Sequence, residues 1–232
     1  MNTAADPPKA HLYPFRICKE TLELLHGVIF YLIVVDTACG LQVRRPNGIK
    51  AIEKKMADDG VERALMDKGW DYLGKYEARF RPAVTQSGVV QVRGHWDWYV
   101  RRLRDFVVHA TEGEANTQLS GKDLKDLRRI DHLTIAQQLD LLARAAGVEF
   151  GIPDHRLEAI REMELVRNIG THNRWEVDQH YLDRTSTTGW ALGDVRKFDV
   201  SEFQDWHAAI LKVINATTSS IAVRFKDAPP FP

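Results

Sequence analysis

The chain has 232 residues, enough to bury a sizeable core in one domain or in two small ones. Its 32 Lys and Arg balance its 32 Asp and Glu, so no overall basic field marks a nucleic-acid-binding protein, although a small RNA-directed site needs only a local basic patch. The two cysteines, Cys18 and Cys39, are too few for a disulfide framework, and we expect both to be free thiols.

Neither a membrane segment nor a targeting signal is visible. The most apolar run, Val28 to Val35, has eight residues, whereas a membrane-spanning helix needs about 20. The start of the chain, from Met1 to Pro8, is polar and contains proline, unlike the basic and then apolar pattern of a signal peptide. We therefore expect a cytoplasmic protein.

The first half of the chain predicts helices, because apolar residues recur at a spacing of three and four. The aromatic-rich stretch near Trp96 is typical of a helix with one buried side, formed by Trp96, Tyr99, Leu103, Phe106 and Val107. In chain order we predict a flexible arm (1–11), a helix (12–38) that stops before Gly40, a turn (44–48), a helical region broken near 58–60 (49–76), a loop (81–88) and a helix (92–110).

The second half predicts further helices with recognisable starts and stops. Thr134 and Gln137 fit a capping box, and Gly147 is expected to end the helix that they open. In order we predict an exposed segment (111–121), a short basic helix (122–129), the Thr134–Gly147 helix, a helix with Asp154 as its N-cap, a loop or short hairpin (178–197), a last helix opened by a capping box at Ser201, and a frayed tail (227–232). The fold prediction is an all-α bundle of five or six main helices in one domain, 12–226.

Several kinds of site have no support in the sequence. Cys-x2-Cys and His-Glu-x2-His zinc motifs, a P-loop and glycine-rich dinucleotide fingerprints are all missing, and the acidic residues are scattered. We expect neither a metal nor a cofactor, so a nuclease built on this chain would cleave by acid–base chemistry alone.

The stretch from Glu164 to Trp175 carries the most chemistry. It places Arg167, Asn168 and His172 within six positions of one predicted helix. Arginine can grip a phosphate with two hydrogen bonds, and histidine can give or take a proton near neutral pH. Asn168 and His172, four residues apart, share a helix face, and a glycine at position 170 costs about 1 kcal/mol relative to Ala. This cost indicates a kink, or another backbone approaching closely.

Spacing alone does not decide the site. The same Arg-x4-His spacing recurs at Arg104 and His109, in the aromatic-rich helix, where His109 suits a core or helix-capping role. Context separates the two pairs. Residues Glu164, Arg167-Asn168, His172-Asn173, Val177-Asp178 and Tyr181 together resemble the motif of the HEPN superfamily. The resemblance extends more loosely from about Trp96 to Ala222, and the motif-bearing part of the domain is expected at about 92–226.

The resemblance implies a metal-independent endoribonuclease of the bacterial toxin or phage-defence type, acting as a homodimer with a composite active site. Arg167, Asn168 and His172 would then be catalytic, and Glu164, Gly170, Asn173 and Asp178 would support them. The ribose 2′-OH would attack the adjacent phosphorus, leaving a 2′,3′-cyclic phosphate and a 5′-OH. An antitoxin or companion defence protein is a further expected partner.

Two other interpretations remain open. A non-catalytic HEPN-like module would use the same Arg and His to bind RNA or nucleotide, or to hold a dimer together. A plain helical interaction protein would place His172 in the core and Arg167 in an ion pair with Glu164. If the chain does bind RNA, candidate backbone contacts are Arg101, Arg102, Arg104, Lys122, Lys125, Arg128 and Arg129. We expect His155 and His180 to lie on the surface.

Overall fold

A computed structural model describes residues 12–44, 46–111, 120–228 and 231. The expected arm (1–11), most of the expected exposed segment (112–119) and part of the tail lie outside these residues. The helices are α1 (Leu12–Arg44), α2 (Pro46–Asp58), α3 (Arg63–Thr111), α4 (Gly121–Arg128), α5 (Ile135–Ala146), α6 (Asp154–His172), α7 (Gln179–Leu182) and α8 (Val200–Arg224), with a 3-10 turn at Ile130–His132. The predicted all-α fold is confirmed: within the described ranges the one extended pairing is an isolated bridge between Glu176 and Val195.

Three long helices, α1, α3 and α8, pack side by side. Tyr13 near the start of α1 stacks on Phe106 near the end of α3, with ring centroids 5.7 Å apart. At the other end of this pair, Leu32 of α1 lies over Gly88 of α3. The two helices are therefore antiparallel. Helix α8 runs parallel to α3, since Phe203 at its start lies against Gly88 and Phe225, just after its end, packs against Phe106. The predicted aromatic side of α3 is buried in this core, as expected (Trp96, Tyr99, Leu103, Phe106, Val107).

The predicted loop at 81–88 is wrong, because α3 continues through it as one helix. Pro82 and Gly88 suggested a break, but Gly88 has a packing role. A Cβ atom built there would lie 2.6 Å from Leu32 and 3.3 Å from the ring of Phe203. Gly88 thus lets α1 and α8 approach α3 closely, and a glycine required by such contacts does not mark a loop. Gly40 likewise does not end α1, which continues to Arg44. The break at Gly60 is confirmed, with φ +79°.

Of the three predicted helix caps, that of α5 is confirmed and those of α6 and α8 are wrong. The Thr134 capping box is confirmed, with the Gln137 N–H donating to Thr134 Oγ1 at 3.3 Å, and Gly147 ends α5 at φ +63°. Asp154 is not an N-cap, because α6 begins one residue after Pro153, which has no side chain that can accept a hydrogen bond. Ser201 is not a cap either. Asp199 caps α8 instead, accepting the Glu202 N–H at 2.9 Å.

The 178–197 segment and the tail are both more ordered than predicted. The 178–197 segment contains the short helix α7, and Val195 pairs with Glu176 in place of a regular hairpin. In the tail, Phe231 packs against Tyr13 with ring centroids 4.3 Å apart, so the expected fraying does not hold there. Residues 229, 230 and 232 lie outside the described part of the chain. No helix within that part is long and apolar enough to cross a membrane.

Helix α6 lies at the centre of the second half of the fold. Residues 162–166 are all buried, and five consecutive helical residues turn through more than a full circle. Neighbours therefore surround α6 on every side at this level. Two of the five residues are glutamates, Glu162 and Glu164, and buried carboxylates need partners.

Glu164 is paired with Arg93 of α3 and with the start of α5. One Glu164 oxygen forms an ion pair with Arg93 Nη1, and both accept the Ile135 N–H, at 3.0 and 3.1 Å. Arg93 also donates to the Leu133 carbonyl at 3.0 Å and pairs with Asp97. The amino terminus of α5 adds the favourable end of its helix dipole. This network fixes α6 against both neighbouring helices.

We predict that Arg93→Ala destabilises the protein by about 3–5 kcal/mol, because it leaves the buried Glu164 carboxylate without its cation. The double variant Arg93→Ala with Glu164→Gln should recover part of this loss, since glutamine carries no charge and still accepts the Ile135 N–H. Urea unfolding measures both free energies. As the control, Arg63 forms an exposed ion pair with Asp67, and Arg63→Ala should cost less than about 1 kcal/mol. Equal losses in the two single variants would contradict the prediction.

Candidate active site at the carboxyl end of α6

Arg167, Asn168 and His172 lie on the last turns of α6. The Arg167 guanidinium is half-buried and donates from Nη1 to Asn168 Oδ1 at 3.1 Å. It forms no ion pair with any described residue, and its buried Nε has no hydrogen-bond partner there. His172 is the final residue of the helix, and its side chain is exposed. A cation without an anionic partner therefore lies about 1.4 helical turns before an exposed imidazole.

The hydrogen bond between Arg167 and Asn168 bears on how Arg167 is placed relative to His172 around the helix axis. On an ideal helix the Cβ directions of Arg167 and His172 differ by about 140°, whereas those of Asn168 and His172 differ by about 40°. The hydrogen bond to Asn168 links the Arg167 guanidinium to the residue whose Cβ direction is about 40° from that of His172.

Glu164 does not take part in this hydrogen bond. Its partners are Arg93 and the Ile135 N–H, so the Arg167–Glu164 ion pair expected for a purely structural role is absent. Burial raises the pKa of Glu164, against the opposing effect of Arg93. His172 is exposed and not a core residue, so both premises of the purely structural interpretation are wrong.

Gly170 makes its close contact within the chain. A Cβ atom at position 170 would lie 2.4 Å from two ring atoms of Trp175. Only glycine therefore leaves room for the indole ring to pack against the helix at this point. The helix is continuous to His172, without a break at the glycine. The close approach predicted from Gly170 is therefore made by a side chain of the same chain, and it does not by itself provide room for a partner helix.

Asn173 and Asp178 act on the backbone that follows the helix. Asn173 donates from Nδ2 to the Glu176 carbonyl at 2.8 Å and closes the turn after α6. Asp178 accepts the Tyr181 N–H at 2.8 Å and caps α7. Both residues thus support the geometry of the segment beside the site.

A second buried polar cluster was not found from the sequence. Tyr181 and Arg196 both donate to Glu162, and Arg196 also pairs with Glu202. Burial, together with the hydrogen bond to Glu162, raises the pKa of Tyr181. The available signal was Glu162 itself, an acidic residue that shares its helix face with the apolar residues Ala159, Leu165 and Val166. The cluster fastens the 176–198 segment to α6 and α8.

The predicted RNA-binding residues lie elsewhere, on α3 and α4. Arg101 donates to the Asp97 carbonyl, Arg102 lies over the ring of Trp98, and Arg104 pairs with Asp105. The α4 group forms no ion pair or hydrogen bond through its side chains with described residues (Lys122, Lys125, Arg128, Arg129). Helix α4 packs on α5 through an ion pair between Asp123 and Arg144. None of these residues contacts the α6 motif.

A groove of about 590 Å³ runs between α3, α4 and Phe231. Arg104, His109 and Arg128 line it together with the apolar side chains of Val108, Leu124 and Leu127. Arg104 is engaged by Asp105, and the His109 ring packs edge-on against Phe231 with centroids 5.2 Å apart. The second Arg-x4-His pair therefore differs from Arg167 and His172, because both of its side chains already have structural contacts.

Compared with protein families, with characterised proteins and with solved structures, the chain shows no significant match to any. Among the described residues, no three His, Cys, Asp or Glu side chains come together as a metal site would require. The chemistry of the α6 end is therefore inferred from the contacts of Arg167, Asn168 and His172 and from the motif that they form.

We predict that Gly170→Ala destabilises the protein by about 1–3 kcal/mol, because the new methyl group must displace the Trp175 ring. In a Trp175→Ala background the same change should stabilise it by up to about 1 kcal/mol, the ordinary preference for alanine in a helix. Thermal and urea unfolding give both values. Gly94 of α3 has open space around its Cα atom, so Gly94→Ala should stabilise the wild type. A loss that persists without the Trp175 ring would contradict the explanation.

Proposed function

We propose that the chain is a metal-independent endoribonuclease of the HEPN type, with Arg167, Asn168 and His172 as its catalytic group. One observation supports this most: the Arg167 guanidinium has no anionic partner within the described chain and donates to Asn168, which lies about one helical turn before the exposed His172. A half-buried arginine without a carboxylate is ready to bind an external anion, and phosphate matches its geometry.

In the proposed reaction the 2′-OH of RNA attacks the adjacent phosphorus, and the bond from phosphorus to the 5′-oxygen breaks. His172 transfers a proton, either from the attacking 2′-OH or to the leaving 5′-oxygen. Arg167 stabilises the charge that develops on the phosphate oxygens. Because arginine can only donate, Asn168 Oδ1 is the acceptor in the Arg167–Asn168 hydrogen bond. The Asn168 Nδ2 group is therefore left to donate to the phosphate. The products are a 2′,3′-cyclic phosphate and a 5′-OH.

Two proton transfers are needed, and each chain supplies one His172. A homodimer that brings two such helix ends together would supply both the acid and the base, and we propose this composite site as the active form. A bacterial toxin or phage-defence role in the cytoplasm, under the control of an antitoxin or companion protein, is the setting that the HEPN resemblance favours.

A non-catalytic RNA- or nucleotide-binding module is the second candidate. It is favoured by the same free guanidinium and exposed imidazole, which can hold a phosphate without cleaving it. The two functions differ in a single measurement, namely whether bound RNA is cut.

We predict that the wild type cleaves RNA in the presence of EDTA and that His172→Ala and Arg167→Ala each lower the rate by about 100-fold or more. The cleaved ends should carry 2′,3′-cyclic phosphate. His172→Ala should leave the melting temperature unchanged, because the side chain is exposed and forms no hydrogen bond with described residues.

Two histidine variants serve as controls for this experiment. His155 is exposed on the same helix, and His109 belongs to the second Arg-x4-His pair. His155→Ala should cleave at the wild-type rate, and His109→Ala, which changes a residue that lines the groove beside α4, should keep the wild-type rate at saturating RNA. Equal activity of all variants would refute the catalytic assignment, and a defect confined to His109→Ala would transfer it to the other pair.

The groove beside α4 offers a contact for RNA outside the catalytic group. We predict that Arg128→Ala weakens the binding of a single-stranded oligonucleotide several-fold, because Arg128 lines the groove together with the aromatic ring of Phe231, on which a base can stack. Arg129, the next residue, does not line the groove, so Arg129→Ala should have a clearly smaller effect. Fluorescence anisotropy at fixed salt measures both. Equal effects of the two variants would mean that only the general charge of α4 matters.

A further inference from the structure

The turn that follows α6 contains two residues in the left-handed region. Arg174 has φ +51° and Trp175 has φ +69°, and they are the only residues other than glycine with positive φ in the described chain. Residues with a Cβ atom adopt this conformation at an energetic cost that glycine avoids and that asparagine tolerates best. A side chain kept at such a position therefore calls for a reason.

Trp175 has a structural reason. Its ring covers Gly170 and packs against Phe198 with centroids 6.0 Å apart. The Trp175 backbone N–H donates to the Ile169 carbonyl at 3.0 Å, and the Trp175 carbonyl accepts from the Arg196 backbone N–H at 2.8 Å. These contacts hold the left-handed backbone and close the carboxyl end of the helix.

Arg174 has no such reason. Its side chain is exposed and makes no hydrogen bond, ion pair or ring contact with any described residue. The fold gains nothing from a guanidinium at this position and bears its backbone cost. Strained residues of this kind are concentrated at functional sites.

The position of Arg174 suits a role beside the catalytic group. It follows His172 by two residues, so the two Cα atoms are at most about 7 Å apart. The turn is fixed on both sides, with the Glu176 N–H donating to the Asn173 carbonyl and Asn173 Nδ2 donating back to Glu176, each at 2.8 Å. Arg174 is therefore exposed two residues after His172, on a turn that two hydrogen bonds hold in place.

We infer that Arg174 binds the RNA phosphate next to the one that is cleaved, while Arg167 holds the scissile phosphate. The inference rests on the proposed function. The carboxyl end of a helix carries partial negative charge and does not attract phosphate, so RNA bound at this end needs more than one cation. Two arginines on either side of His172 would set the register of the strand over the imidazole.

The test compares Arg174→Gly, Arg174→Asn and Arg174→Lys with the wild type. Binding is measured with a single-stranded 2′-O-methyl oligonucleotide, which lacks the nucleophile and cannot be cleaved by this route. Arg174→Gly and Arg174→Asn should bind about tenfold more weakly, the equivalent of one charge-assisted contact. The slope of log K against log salt should fall by about 0.7, the value for one lost single-strand phosphate contact. Arg174→Lys should retain most of the binding.

The stability of Arg174→Gly should not fall with its RNA binding. Because glycine relieves the left-handed strain, the melting temperature of Arg174→Gly should equal that of the wild type or exceed it by about 2 °C. A clear loss of stability in both Arg174→Gly and Arg174→Asn would assign the side chain a structural role and overturn the inference. As the control for lost charge, Arg16→Gln removes an exposed guanidinium from α1 and should leave binding unchanged.

The remaining outcomes separate this inference from the proposed function. Wild-type binding that depends on Arg174, without cleavage of ordinary RNA, would support the inference and refute the nuclease. Cleavage of RNA with full binding by Arg174→Gly would support the nuclease and overturn the inference. If the wild type binds no oligonucleotide, or if Arg174 matters only for binding an acidic partner protein, the inference fails.

Discussion

The ion pair between Arg93 and Glu164 is the interaction on which the second half of this fold depends. It joins α3 to α6, and the same carboxylate accepts the first N–H of α5. A single buried charge thus fixes the relative positions of three helices. Such an arrangement is stable because the carboxylate has a cation, a backbone donor and the positive end of a helix dipole together. Removing any one of these leaves a desolvated charge in the core.

The two glutamates of α6 divide this task between two sides of the helix. Glu164 points to α3 and α5, while Glu162 meets Tyr181 and Arg196 from the segment that follows. That segment in turn brings Trp175 over Gly170 and closes the helix end. The candidate catalytic residues therefore lie on a helix whose position and terminus are both determined by buried hydrogen bonds. Such support favours a fixed geometry over a mobile one.

The helical periodicity was enough to predict an all-α fold, the Thr134–Gly147 helix and the buried side of α3, because each follows from local spacing and capping. The loop at 81–88 was wrong because Gly88 is required by tertiary contacts with Leu32 and Phe203, which local patterns do not contain. In the candidate site, the position of Arg167, Asn168 and His172 near the end of one helix was predictable from the sequence, and their catalytic role stays a prediction. The partners of Glu164 were not, since Arg93 is 71 residues away in the chain.

The length of α3 has a consequence for how far apart its contacts with α2 and α6 lie. The helix has 49 residues, and 30 of them separate its start at Arg63 from Arg93, a distance of about 45 Å at 1.5 Å per residue. The end of α3 that meets α2 is thus several nucleotide lengths away from the point where α3 meets α6. A change at the α2 end, such as loss of the ion pair between Arg63 and Glu53, therefore acts far from the Arg93–Glu164 network.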